Sequence, residues 1–369
     1  MILIATQTFA PDKGGMETYM TSLAAELAKA ENEVIVFADG KDKKYKPEAS
    51  FIIKRFGGWR PYRRWKKRKA TARLFTSRMI EGVFCDSWKS IESLSEKYTP
   101  PVVVLAHGAE YPLFPSKRKK QRIEAALSRA TAILANSHYT ADIVRAYLPR
   151  PDDLRLKVVH PPINPLPSPT RDAQQEIRSL VGGRAPVLSV LARLEPRKGI
   201  DRVIAAMPEI IARYPSALFL VGGEGDDLKR LHALAEEKGV SEHVAFLGSL
   251  DNDKKGAMFV ASDIYAMPVR RVGTSVEGFG ISYIEAAWFG VPSLGGREGG
   301  AQDAVIDGRT GLLCDGENQT EVTVKLLQLL DDGPLRRKFG IGAKEYVENE
   351  LLWEKALPKF LSALRLPAR

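Results

Sequence analysis

The chain alternates short, mainly apolar runs with longer segments in which apolar residues recur at helical spacing, and glycine or proline punctuates the changes between them. Ile2 to Thr6, 33–38, PVVVLA at 101–106, 132–135, 186–191, 217–221 and VAFLG at 244–248 read as strands, the apolar ones as central strands of parallel sheets covered on both faces. Phe51 to Arg55 reads as a further strand. Helical periodicity predicts helices over about 17–30, 65–80, 138–147, 281–289 and 353–364. Strand, helix and strand in that order make a βαβ unit, and sheets built from such units bind ligands outside the carboxyl ends of their strands. The expected class is α/β.

At 369 residues the chain is long enough for two domains, each burying its own core. The proline- and serine-rich stretch from Asn164 to Thr170 is the best linker, and the strand pattern restarts after it, so the expected division is 1–164 and 165–351. No apolar run approaches the length needed to span a bilayer, and MILIATQTF lacks the basic start of a signal peptide, so the expected location is cytoplasmic. Cys85 and Cys314 fit no metal-ligand spacing and are expected to be free thiols.

Charge adds a partner class. There are 55 Lys and Arg against 45 Asp and Glu, a formal net charge of +10, which points to an anionic partner. The stretch from Lys54 to Arg73 is densely basic, contains no acid and interleaves Trp59, Tyr62 and Trp65; Lys117 to Arg122 adds a second basic cluster. A cationic helix with aromatic neighbours would lie on an anionic membrane surface, or would simply be a solvated face. No recognised nucleic-acid module surrounds it, so nucleic acid is not the expected partner.

The most informative stretch is Met267 to Gly300, MPVRRVGTSVEGFGISYIEAAWFGVPSLGGREGG. The turn at Gly278-Phe279-Gly280 opens a helix, and such a turn offers backbone N–H groups and the positive end of the helix dipole to a phosphate. Glu277 sits before the turn and Glu285 on the helix. As acceptor-only groups, carboxylates suit sugar hydroxyls or a ribose diol, and both are equally well read as ordinary helix acids. Arg193 and Lys198 lie five apart across a turn after a strand, where a guanidinium fork and an ammonium would converge on one diphosphate, or serve as surface cations. Gly14-Gly15 followed by Glu17 gives a close-approach turn after the first strand, without the spacing of a dinucleotide fingerprint. His107-Gly108-Ala109-Glu110 follows a central strand, and Gly222-Gly223 ends another.

Taken together, these motifs resemble the retaining glycosyltransferases of family 4. The resemblance rests on Met-Pro-x-Arg, E-G-F-G, the E-x7-E pair Glu277 and Glu285, G-V-P, R-x4-K-G at Arg193 and Lys198, G-G-x-E at Gly14, Gly15 and Glu17, and H-G-x-E at His107 and Glu110. It is similar to bacterial mannosyl- and glucosyltransferases acting on glycolipids or lipopolysaccharide. The resemblance implies the GT-B fold, two Rossmann-like parallel-sheet domains facing across a cleft, with the terminal segment 352–369 packing back on the first. It implies transfer of a hexose, with retention, from a nucleoside-diphosphate sugar (GDP- or UDP-hexose) to a lipid-linked or glycan acceptor, with no metal and no other cofactor. His107, Arg193, Lys198 and Glu277 would act at the reacting centre. Gly14, Gly15, Gly223, Phe279, Gly280 and Glu285 would hold the donor, and Glu17 and Glu110 the acceptor. Asp303 stands where glutamate is commoner in this family, and Trp288-Phe289 replaces a pair of small residues. The rival readings are a nucleotide-sugar epimerase of the same fold and a non-catalytic nucleic-acid-binding protein, which would bind strands with a steep salt dependence.

Overall fold

The computed structural model describes residues 1–12, 14–41, 45, 47, 49–77, 79–97 and 100–365. The chain divides into two compact units, Met1–Asn164 with Trp353–Arg369, and Pro165–Leu352. The expected terminal segment runs on to 369, and its last four residues lie outside the described ones.

The first unit is built on a seven-stranded sheet of β1 (Ile2–Thr6), β2 (Val34–Asp39), β3 (Ile52–Phe56), β4 (Gly82–Cys85), β5 (Val102–Ala106), β6 (Ala132–Ala135) and β7 (Leu156–Val158). The spatial order is β3-β2-β1-β4-β5-β6-β7, and every pairing is parallel. Side chains alternate between two buried layers: Leu3, Ala5, Val83, Val102 and Val104 pack on one face, and Ile2, Ile4, Phe84, Val103 and Leu105 on the other. Double coverage is why the sequence of β5 is a continuous apolar run. The terminal helix Trp353–Leu364 joins the second layer through Trp353 and Phe360, and Tyr19 stacks on Trp353 with ring centroids 5.7 Å apart.

Strand order reverses at β1, so β1 and β4 part their connections to opposite sides and leave a crevice at their carboxyl ends. β4 is absent from the sequence reading, because only three of its four residues are apolar and polar residues flank it. The basic helix runs over Arg60–Ser77, five residues earlier than its periodicity predicts, and Pro61 sits in its first turn, where a missing N–H costs nothing.

The second unit repeats the plan with six parallel strands: β8 (Val187–Leu191), β9 (Leu218–Gly222), β10 (Val244–Gly248), β11 (Ile264–Met267), β12 (Ser293–Gly296) and β13 (Gly311–Cys314), in the order β10-β9-β8-β11-β12-β13. Here the reversal lies between β8 and β11. Both units are therefore Rossmann-like, as the motifs imply. Trp288, on the helix Ile281–Trp288, uses its bulk locally, its indole N–H donating to Leu166 O at 2.9 Å, while Phe289 packs on Phe259. Cys85 and Cys314 are buried free thiols. No helix among the described residues is long and apolar enough to cross a membrane.

Candidate active site

In the second unit the chemistry gathers at the carboxyl ends of β8 and β11. After β8 the chain makes a single tight turn, Pro196–Lys198, and Gly199 in the left-handed region passes it into the helix Ile200–Arg213. That turn aims Arg197 and Lys198 at Glu277, which follows β11. Lys198 Nζ and Arg197 Nη1 both pair with Glu277 Oε2, the latter at 2.8 Å, and all three side chains are largely buried. Burial alone would raise the Glu277 carboxyl, but the Lys198 and Arg197 cations outweigh it and hold it at about 2, so it is ionised throughout the physiological range. The Glu277 backbone is fixed as well, its carbonyl accepting from Gly300 N at 2.9 Å.

Arg197 also donates from Nε to Glu195 Oε2 at 2.8 Å, and Glu195 in turn accepts from Arg193 Nη1 at 3.1 Å. Arg193 is 75% exposed. The residue brought to Lys198 is thus Arg197 rather than Arg193, and Arg193 reaches out to solvent from the far side of Glu195. After pairing with Glu277, Lys198 keeps two of its three N–H donors for another anion.

Beside this cluster the helix Ile281–Trp288 begins at Gly280, whose φ is +94°. A Cβ there would lie 2.6 Å from the Tyr283 ring, so this entry into the helix excludes other residues. Phe279 is buried, and the Tyr283 hydroxyl donates to Met267 O, tying the helix start to the end of β11. Glu285 lies further along this helix and pairs with Lys255 at 2.6 Å, both side chains largely buried. Gly223 serves a structural end: its Cβ would fall 1.9 Å from Ala192 O, so its smallness lets the ends of β8 and β9 pass. Arg270, the arginine of Met-Pro-x-Arg, grips Asp201 with two bonds of 2.8 Å and stiffens the turn from behind.

In the first unit, β5 delivers His107 and Glu110. The Glu110 carboxylate turns back to accept from His107 N at 2.8 Å, capping its own turn. Burial pushes Glu110 up to about 7 against that hydrogen bond, and burial also pulls His107 down to about 4 against a backbone contact with Asp86. His107 Nε2 is buried with no hydrogen-bond partner among the described residues, and the ring meets Tyr19 edge-on at 5.8 Å. Asp86, just after β4, accepts from Gln7 N at 2.6 Å, Thr6 Oγ1 at 3.0 Å and Ser90 Oγ at 2.5 Å, and its burial raises it against those bonds. Gly14 and Gly15 open the helix Gly15–Lys29, with the Glu17 carboxylate folded back over Gly14.

Sequence reasoning singled out neither Arg197 nor Asp86. Arg197 lies inside the quoted R-x4-K-G motif, and a two-residue look at which cation precedes the glycine turn would have found it. Asp86 carries a fainter signal, an acid directly after the short run Val83–Cys85.

Two family models match the chain: Glycosyltransferase Family 4 over residues 13–165, and Glycosyl transferases group 1 over residues 173–346. A GDP-mannose-dependent alpha-(1-6)-phosphatidylinositol monomannoside mannosyltransferase of Mycolicibacterium smegmatis is 36% identical over 189 residues, covering 50% of this chain and 50% of the relative, so the chain matches about half the length of that protein. A D-inositol 3-phosphate glycosyltransferase of Corynebacterium diphtheriae is 25% identical over 394 residues, covering 95% of this chain and 89% of the relative. The solved structure of Anabaena Alr3699/HepE in complex with UDP-glucose superposes with a TM-score of 0.78 at 17% identity, covering 99% of each chain, a likeness of fold. The chain belongs to the glycosyltransferases, its first unit matching Glycosyltransferase Family 4 and its second Glycosyl transferases group 1.

Proposed function

We propose that the chain is a retaining, metal-independent hexosyltransferase that moves mannose from GDP-mannose to a lipid-linked acceptor. The observation that carries this reading is the buried Lys198–Glu277–Arg197 cluster beside the Gly280 helix start, which places fixed positive charge and a fixed anion together at one strand end. Donor identity is supported by the GDP-mannose dependence of the mannosyltransferase relative, and a membrane-borne acceptor by that relative being a phosphatidylinositol monomannoside mannosyltransferase.

In this mechanism the second unit binds the donor and the first the acceptor. Lys198, Arg193 and the amides of Phe279 and Gly280 take the diphosphate, and they stabilise the charge that grows on it as the C1–O bond to phosphate breaks. Those cations supply the charge that a metal would otherwise bring. Glu277, always ionised, accepts from sugar hydroxyls, and Arg197 positions it. Glu285 accepts from the ribose diol once Lys255 yields. The acceptor hydroxyl attacks C1 from the face the diphosphate leaves, its proton passes to a diphosphate oxygen, and configuration is retained. Neutral His107, with its unpartnered Nε2, lies against the sugar near the reacting carbon; Gly14 and Gly15 give the donor close approach, and Glu17 and Glu110 line the acceptor side. The exposed Trp59, Tyr62 and Trp65, with Lys66 and Lys69 laid over the Tyr62 and Trp65 rings, form a peripheral membrane contact on the cytoplasmic face.

The test is to incubate the protein with GDP-mannose and membrane lipid extract and to read the anomeric coupling of the product by NMR. An α-mannoside formed without added metal is expected. A β-mannoside, or GDP release strictly dependent on a divalent cation, would overturn the mechanism.

A further inference from the structure

The turn that carries Lys198 is held from two sides by backbone bonds. Leu194 O accepts from Asp227 N at 3.3 Å, and Arg197 O accepts from Arg270 N at 2.9 Å. Gly199 closes the turn against the run that leads to Arg270, since a Cβ there would fall 2.1 Å from Pro268 O. The two residues whose amides grip the turn are also the two ends of one ladder of ion pairs. Arg270 donates from Nη1 and Nη2 to the two oxygens of Asp201, each at 2.8 Å. Arg230 reaches the same carboxylate from Nη1 at 3.3 Å, and it holds Asp227 from Nε and Nη2 at 2.6 and 2.7 Å.

Cations and carboxylates alternate along this ladder, two of each, so it offers no net charge to a ligand. The side chains of Asp201, Asp227 and Arg270 are largely buried, while Arg230 is 47% exposed and closes the ladder from the solvent side. Burial alone would raise the Asp201 carboxyl, but the bonds and charge of Arg270, with Arg230 behind it, outweigh burial and lower it. A guanidinium fork on a carboxylate fixes orientation as well as distance, which a single ammonium contact does not. Asp201 is the second residue of the helix Ile200–Arg213, which starts directly after the turn. The ladder therefore joins the loop after β9, the loop after β11 and the helix that follows the turn, and the turn lies between them.

We infer that Arg270 and Asp201 are positioning residues for the transfer: with Arg230 and Asp227 they close a clamp around the turn and set the point at which Lys198 meets the diphosphate. Arg270 is not a ligand of the donor, since both its terminal nitrogens are committed to Asp201. The inference rests on the transferase reading for the diphosphate, and on this network alone for the turn.

The experiment compares the wild type with D201N, R270Q, R270K and R230Q, and with R213Q, which removes an exposed ion pair to Asp331 outside the ladder. Three readouts are taken well below the melting midpoint of each protein: hydrogen exchange of the segment 192–199, GDP affinity by calorimetric titration, and kcat and KM with GDP-mannose and membrane lipid extract. D201N and R270Q should speed exchange of the segment, weaken GDP about tenfold and lower kcat, with the KM for the acceptor unmoved. R270K keeps a charge for Asp201 without the fork and should fall between R270Q and the wild type. R230Q, at the exposed rung, should cost about threefold or less, and R213Q should match the wild type throughout. The sign of the D201N effect separates positioning from binding: an Arg270 freed to bind phosphate would tighten GDP, and that result overturns the inference. So do exchange, affinity and kcat at wild-type values in D201N and R270Q, whatever their melting temperatures. If D201N does not fold, R270Q and R270K decide by the same readouts. A wild type blind to GDP would instead refute the transferase reading, and the exchange comparison would still decide whether the clamp holds the turn.

Discussion

The carboxyl ends of the two sheets share one topology and carry opposite electrostatics. Behind β8 and β11, two cations close on Glu277 and hold it ionised at about 2 despite its burial. Behind β4 and β5 no cation pairs with Glu110 among the described residues, and burial outweighs the weaker pull of the Lys89 charge and pushes it up to about 7, while His107 is driven neutral at about 4. The same desolvation acts at both ends, and what differs is whether a cation stands within contact distance. A Rossmann-like crevice is thus a blank position whose loops decide what it can hold: fixed charge suits a diphosphate, while uncharged, under-bonded polar groups suit hydroxyls.

The sharpest way to break this contrast is to remove the charge from the second unit. Lys198→Ala should cut turnover with GDP-mannose about 10²–10³-fold, the range found when one donor to developing charge is lost, and steady-state kcat measures it. Arg197→Ala leaves Lys198 in place and takes away one of the cations that oppose burial. Glu277 should then titrate about one unit higher, and the acid limb of the pH profile of kcat/KM should move up with it, with a loss of roughly tenfold at low pH. An unchanged profile would make Arg197 a mere structural contact.

Glu110→Gln probes the first unit and should have the smallest effect. Its folded value is raised, so between pH 4.5 and 7 the native chain holds a proton that the unfolded chain has released, and stability falls as pH rises through that window. The amide removes this dependence while keeping an oxygen for His107 N. The variant should match the wild type near pH 4.5 and melt on the order of 5 °C higher at pH 8, followed by thermal unfolding across pH.

Much of this frame is legible in the residues. β5 announces itself because both its faces are buried, leaving no polar interruption, and β8 shows only the small Ser189 among its apolar residues; Gly280 and Gly199 announce the turns because only glycine takes their positive φ without cost. Direction is what the residues withhold. A run as basic as 54–73 reads as one cationic surface, yet Lys67 is among the most buried charges in the chain and Trp59 is 72% exposed. Spacing points to Arg193, and only the tight turn at Pro196–Lys198 shows that Arg197 is the arginine that meets Glu277. Asp86 is hidden because a four-residue strand gives too little pattern to mark its end.

The most direct test of the central claim is calorimetric titration of GDP into the wild type, Lys198→Ala and His107→Ala at neutral pH. If the diphosphate is held by the charged end of the second unit, the wild type and His107→Ala bind GDP alike and Lys198→Ala binds at least about tenfold more weakly. Equal affinity in the wild type and Lys198→Ala, or a loss confined to His107→Ala, would contradict the assignment of the two ends.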